Sequence, residues 1–204
     1  MNKKGFIITF EGIDGCGKTT ISKMLESKLN EMGYKTLLTR EPGGVESAEK
    51  IREIILNENI DGITEALLFA SARRIHLKEK VIPALNEGKI VIIDRFIDSS
   101  LAYQGIGRNL GIDRILDLNM WVVENYMPYI TFFLDVEPNI AFQRIQNRSN
   151  NRLDNENMEF YFKVREGFKI LSERFSDRIV TINANNSPYM ILKDCLNVIN
   201  KKLP

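Results

Sequence analysis

Histidine is all but missing from this chain of 204 residues; the one copy is His76. It stands between Ile75 and Leu77 in a helical pattern and reads as a packing or surface residue. Cysteine occurs twice, at Cys16 and Cys195. Cys16 lies in a glycine-rich loop, and a bridge to Cys195 would restrict that loop, so two free thiols in a reducing cytoplasm are expected. Neither sign of charge dominates. With 28 basic and 27 acidic residues the net charge is +1, which gives no global field to draw nucleic acid or a membrane. No apolar run approaches transmembrane length. The opening MNKKGFIITF passes into a strand without a small-residue cleavage site. The absences leave a cytoplasmic protein. Its apolar share of 44% and charged share of 27% suit one domain with a sizeable core.

What is present is concentrated in Gly12-Ile13-Asp14-Gly15-Cys16-Gly17-Lys18-Thr19. This stretch fits the phosphate-loop pattern G-x-x-x-x-G-K-[ST] in full. An apolar strand, Phe6–Glu11, precedes it. Ile21, Met24, Leu25, Leu29 and Met32 recur after it at helical spacing. A strand, a glycine turn and a helix start make a cradle for phosphate, because backbone N–H groups turn inward and the helix adds unpaired donors. Lys18 brings a mobile cation, and the Thr19 hydroxyl suits a Mg²⁺ ligand. The alternative for the motif alone is a chance match on a tight turn.

Four further apolar runs read as buried strands: Tyr34–Arg40, Ile90–Asp94, Tyr129–Val136 and Arg178–Asn183. They show little alternation, as in a parallel sheet covered on both faces. Helical patterns span Glu46–Asn57, Thr64–Asn86, Asp113–Tyr126, Glu156–Ser176 and Pro188–Lys202. The alternation predicts an open α/β sheet with ligands at the C-terminal ends of its strands. The second strand ends in Thr39-Arg40-Glu41-Pro42-Gly43-Gly44 and the third in Asp94-Arg95-Phe96. Asp94, after four apolar residues, fits an acid that holds Mg²⁺ directly or through water; its bland role is a cap. Arg95 offers a rigid, charged fork for phosphate.

Several segments together resemble the bacterial thymidylate kinase family. They are Phe10-Glu11-Gly12 with the phosphate loop, Thr39 to Gly44, Leu68-Phe69-Ala70-Ser71-Ala72-Arg73-Arg74, the run from Asp94 to Gly105, and Asn151-Arg152-Leu153-Asp154. The resemblance implies transfer of the γ-phosphoryl group of ATP to dTMP, with Mg²⁺. It implies the nucleoside monophosphate kinase fold, a five-stranded parallel sheet wrapped by helices, in a single domain over residues 1–204. A homodimer is also implied, and neither a nucleic acid nor a membrane partner. By position, Gly12 to Thr20 would hold ATP. Phe69 would stack on thymine, and Arg73 and Gln104 would bond its edge. Arg40, Arg52 and Arg95 would hold the acceptor phosphate. Asp14 would meet the 3′-hydroxyl, and Tyr103 would exclude a ribose 2′-hydroxyl. Ser99 and Ser100 would line the pocket. Pro42 stands where the family often has a cis peptide. Taken singly, Phe69 reads as core, Arg73 as a solvated charge, and Tyr103 and Gln104 as nothing in particular; only the joint pattern points to a site.

Two departures matter. Some relatives carry an arginine just after the acidic residue of the phosphate loop, where this chain has Gly15. The missing cation is then expected from Arg144, Arg148 or Arg152. These are spaced four apart and would span on the order of 12 Å of one helix face. Arg148 and Arg152, on a mobile lid at about 143–155, are favoured over Arg144, which is expected to lie in the stable helix. Such an arginine is worth about 10³-fold or more in rate. Phe96 replaces the usual tyrosine or histidine, removing a polar contact. Cys16, at a helix start, is expected to have a lowered thiol pKa but no catalytic role. Adenine would lie near Asn183–Ser187. The competing readings are another nucleoside monophosphate or deoxynucleoside kinase and a GTP-dependent switch. The second rests on Asn151 to Asp154 resembling Asn-Lys-x-Asp, about fifteen residues too far from the preceding strand.

Overall fold

A computed structural model describes residues 5–145 and 156–202. The strand β1 (Phe6–Glu11) occupies the middle of a five-stranded sheet. It is flanked by β3 (Ile90–Asp94) and β4 (Ile130–Asp135), with β2 (Thr36–Arg40) and β5 (Ile179–Asn183) at the edges. The order is β2-β3-β1-β4-β5, and every pairing is parallel. Ile7, Ile8, Val91, Ile92, Phe132 and Leu134 are buried on both faces, which is why the strands read as apolar runs. The chain leaves β1 toward β2 and β3 on one side and β4 and β5 on the other. The loop after β1 therefore sits at the switch point, where an open α/β sheet has its crevice. Register puts Phe10 beside Asp94 and Asp94 beside Arg40. The C-terminal ends of three strands thus deliver Glu11, Arg40 and Asp94 to one edge.

The helices follow the expected pattern with three differences. α1 (Lys18–Glu31) buries Ile21, Leu25 and Leu29, while Met32 lies past its end and is exposed. α2 covers Glu46–Asn57. The long pattern beginning near Thr64 is broken into α3 (Gly62–His76), a wider π turn over Leu77–Val81, and α4 (Ile82–Asn86). Leu77, Val81 and Leu85 are all buried. At a spacing of four, an α-helix drifts about 40° per step, and the wider turn takes that rotation back. The second difference is the segment after β3, which the apolar pattern left unassigned. It forms α5 (Ile97–Ser100) and then a second wide turn over Leu101–Gly107. Wide turns inside helices gather at functional sites, and this one carries Tyr103 and Gln104. α6 (Ile112–Val123) follows. The third difference is α7 (Pro138–Ile145), so residues 143–145 of the expected lid are helical. Arg148, Arg152 and the Asn151 to Asp154 segment lie outside the described residues. α8 (Met158–Arg174) and α9 (Pro188–Lys202) complete the layers. No described helix is long and apolar enough to cross a membrane.

A buried ion pair ties α5 to the sheet. Arg178, just before β5, reaches Asp98 at 2.7 and 2.8 Å, and Asp98 is fully buried. Thr131 also donates to Asp98, and Thr9 bonds Thr131 at 2.7 Å. Removing one partner of such a pair would strand the other charge in the interior, at a cost of roughly 3–5 kcal/mol. The pair holds Ser99 and Ser100 in place beneath the site.

Candidate active site

The phosphate loop turns through Gly12, Gly15 and Gly17, all at positive φ. Gly17, at φ 101°, stands immediately before α1, a conformation that costs glycine little. Lys18 is buried against the loop. Its Nζ donates to the carbonyls of Gly12 at 3.1 Å and Ile13 at 3.0 Å. The Ile13 side chain faces the core. Thr19 and Thr20 are exposed at the mouth of a cleft that Asp14 to Thr20 line. The Thr19 hydroxyl donates to Asp94 Oδ2 at 2.6 Å. Cys16 departs from expectation: burial pushes its thiol up, outweighing the nearby Lys18 and Arg95 charges. Both cysteines are free and buried.

Arg144 on α7 closes one side of this cleft, donating to the carbonyls of Gly15 at 3.4 Å and Ala184 at 3.3 Å. Asn186, Pro188 and Ile191 line the same side. They lie in or just after the segment expected to take adenine.

A second cavity lies on the other side of Asp14. Asp14, Pro42, Arg52, Phe69, Arg73, Arg95, Ser99, Ser100, Tyr103 and Gln104 all line it. Glu41 and Leu56, to which the sequence pattern assigns no part, line it too, as does Phe96. Arg40 does not; it faces the phosphate-loop cleft and pairs with Glu49 at 2.8 Å. Phe69 is half-buried and open to the cavity rather than locked in the core.

Arg95 stands at φ 68°, a left-handed conformation costing a non-glycine residue on the order of 1 kcal/mol. The turn throws its guanidinium back over the loop. It donates to the Gly12 carbonyl at 3.0 Å, Ser99 Oγ at 3.1 Å and Asp14 Oδ1 at 2.9 Å. Arg52 bonds the Pro42 carbonyl at 3.0 Å. Burial, and then the like charge of Arg40, hold its pKa below the ordinary value, and Arg95 acts in the same sense. A dianion between these guanidinium groups would relieve that repulsion. The peptide bond between Glu41 and Pro42 is cis. The Tyr103 hydroxyl is buried with no hydrogen-bond partner among the described residues, and burial raises its pKa well above the usual phenol value.

Beneath the cavity lies a network that residue patterns did not signal. Arg73, 2% exposed, donates to Glu41 Oε2 at 2.7 Å, to Ser100 and to Asn119. Its guanidinium lies 5.2 Å from the Phe96 ring centroid. Phe96 therefore does more than drop a polar contact: it is a buried shelf for a cation. His76 is fully buried, so the surface option is wrong. Its ring nitrogens bond Glu41 at 2.9 Å and Thr39 at 2.8 Å. Glu11 ends the buried strand β1 and accepts from the Phe96 N–H at 2.7 Å and from the Ser99 hydroxyl. A carboxylate at the end of an apolar strand was the one available signal for it.

Burial, then the charge of Asp98, lift the Glu11 carboxyl from 4.5 to about 7, against the bonds from Ser99 and Phe96 and the charge of Arg95. Between those values the folded chain keeps a proton that the unfolded chain releases. The resulting stabilisation is full below pH 4.5 and is lost as pH rises through about 7. Glu11→Gln keeps the Phe96 bond without the charge. Its Tm relative to the parent protein should therefore climb as pH goes from 5 to 8, measured by calorimetry. A constant difference across that range would contradict the assignment.

A family model described as Thymidylate kinase matches residues 10–194. A thymidylate kinase of Geobacillus sp. (strain WCH70) is 55% identical over 188 residues, covering 89% of this chain and 90% of the relative. One from Bacillus velezensis is 49% identical over 205 residues, covering 98% and 97%. The crystal structure of thymidylate kinase from Ehrlichia chaffeensis matches with a TM-score of 0.80 at 36% identity, covering 96% of this chain and 98% of that one.

Proposed function

The chain belongs to the thymidylate kinase family, and from that premise we propose how its own residues carry the reaction. The enzyme is a phosphotransferase that moves the γ-phosphoryl group of ATP to dTMP, giving ADP and dTDP. The observation that supports this assignment of roles best is the pair of neighbouring cavities. One lies at the phosphate loop, and the other joins an aromatic face, a buried arginine and an amide. Asp14 and Arg95 line both.

ATP takes the cleft, with its phosphates on the backbone of Gly12 to Gly17, Lys18 at the β/γ end, and Thr20 beside it. The base of dTMP stacks on Phe69, with Arg73 and Gln104 at its edge. Asp14 meets the 3′-hydroxyl. Tyr103 packs where a ribose hydroxyl would stand. Arg95 and Arg52 hold the acceptor phosphate, with Arg40 on the phosphate-loop side and Pro42, Ser99 and Ser100 as walls. An acceptor phosphate oxygen attacks the γ-phosphorus in line, and the bond to the β-phosphate oxygen breaks. The attacking acceptor oxygen is already anionic, so no general base is needed, consistent with a histidine that sits buried away from the cavities. The protein's work is alignment and charge neutralisation.

Mg²⁺ fits the corner where Thr19 and Asp94 meet, since both are hard oxygen donors facing the cleft. Thr19 and Asp94 would hold the ion, which would neutralise charge on the transferring phosphates. Among the described residues no three His, Cys, Asp or Glu side chains gather as a cage. Such an ion would depend on water and phosphate for its other ligands. The cation that Gly15 lacks is assigned to Arg148 or Arg152, with Arg144 already bridging the loop. We also assign the enzyme to the cytoplasm as a homodimer, with no nucleic acid or membrane partner. Support for the dimer comes from Ile54, Ile63, Leu67, Met120 and Trp121, exposed on the neighbouring helices α2, α3 and α6.

The test is steady-state turnover of the purified chain with ATP, Mg²⁺ and a panel of nucleoside monophosphates. dTMP should give the highest kcat/KM, with ADP and dTDP formed in equal amounts. A better acceptor in the panel would overturn the specificity, and absence of both products would overturn the activity.

A further inference from the structure

Gln104 is an amide, with one donor end and one acceptor end. Which end meets a ligand depends on what holds the other. Its Nε2 donates to Glu65 Oε1 at 2.8 Å. Glu65 is 1% exposed and faces the Arg108 guanidinium at 3.3 and 3.4 Å. Arg108 is itself anchored by Glu156 at 2.6 Å and by the Phe160 ring, 4.8 Å away. A carboxylate offers acceptors only, so it takes the NH₂ end of the amide. Among the described residues Gln104 Oε1 has no partner, and Gln104 lines the cavity. Glu65, Phe69 and Arg73 stand four apart on α3, on one stripe of the helix.

We infer that Glu65 is a positioning residue that turns the Gln104 carbonyl toward the acceptor base and thereby selects a pyrimidine carrying a proton on N3. The inference rests on the reading that this cavity takes the base of dTMP. Thymine and uracil present N3–H, which the carbonyl accepts, and a 4-oxo group, which suits the donors of Arg73. Cytosine presents a bare N3 acceptor and an amino donor, so both contacts would be mismatched. The discrimination lies one step behind the residue that touches the base.

Glu65→Gln tests this. Arg108, a donor only, would claim the carbonyl of the new glutamine. The new NH₂ would then face Gln104, draw in its carbonyl and turn its NH₂ to the cavity. The kcat/KM ratio for dTMP over 5-methyl-dCMP should fall at least about tenfold; the two acceptors differ only at N3 and position 4. The KM for ATP should not change. In a Gln104→Met background the same substitution should move the ratio less than about twofold. An unchanged ratio in Glu65→Gln, or an equal shift without Gln104, would overturn the inference. Should Glu65→Gln not fold, the parent enzyme provides the measurement with 5-bromo-dUMP. Its kcat/KM relative to dTMP should drop as pH rises and its more acidic N3 ionises, and a flat ratio would refute an inward-facing carbonyl. Failure of the parent enzyme to phosphorylate dTMP would instead remove the functional reading itself.

Discussion

Lys18→Met is expected to lower kcat by at least about 10³-fold while leaving Tm within a few degrees. Removing one preorganised donor from a transition state costs about 10²–10³-fold, and an ammonium at the β/γ-phosphates adds a full charge. The fold should tolerate the loss. The methionine keeps an unbranched stem, so the space Lys18 fills stays occupied. The carbonyls of Gly12 and Ile13 lose one donor each, and Gly12 retains Arg95 at 3.0 Å. Single-turnover measurements at saturating ATP separate chemistry from binding, and a near-parental rate would show that Lys18 is not at the transferred group.

Gly15→Ala is expected to reduce kcat/KM for ATP by about 10²-fold and to lower Tm. A Cβ at this position would lie 2.2 Å from the Ala141 carbonyl oxygen, and the residue sits at φ 81°. The new Cβ would meet backbone atoms of Ala141, which no rotamer change can move, so either α7 or the phosphate loop must shift. A displacement of about 1 Å at a phosphoryl-transfer site can cost 10²-fold. Gly15→Arg should be no better, although the added guanidinium would stand in the position that some relatives fill. Calorimetry together with ATP titration of the rate decides this. A Gly15→Ala enzyme with parental KM and Tm would mean that α7 does not close on the loop as drawn.

The packing of α7 on Gly15 gives a structural reason for the glycine, and residue spacing could not supply it. The phosphate loop, the five parallel strands implied by uninterrupted apolar runs, and the acid at the end of β3 were all legible. They depend on local periodicity and on chemistry that demands fixed residue types. Phe69, Arg73 and Gln104 were legible only as a joint pattern, and they line one cavity. The support behind them was not. Glu41, Glu65, His76 and Asn119 come from the loop after β2, from α3 and from α6, far apart in the chain. A lone buried polar residue has no signature until its partner is known. The reading of Cys16 failed for a related reason: the helix start was visible, but the apolar packing that closes over the thiol was not.

Sequence alone determined the succession of the five strands, the anion cradle and the types of side chain that line the two cavities. Each follows from short-range geometry, since a run of a few residues dictates whether its backbone pairs, coils or turns. Tertiary structure decided which way those side chains face and what holds them. Arg95 is aimed over the loop by a left-handed turn, Arg73 is held by Glu41, and the Gln104 amide is oriented by Glu65. The physical reason is desolvation. Away from water a polar group must find a partner, and that partner is supplied by whichever element the folded sheet brings alongside.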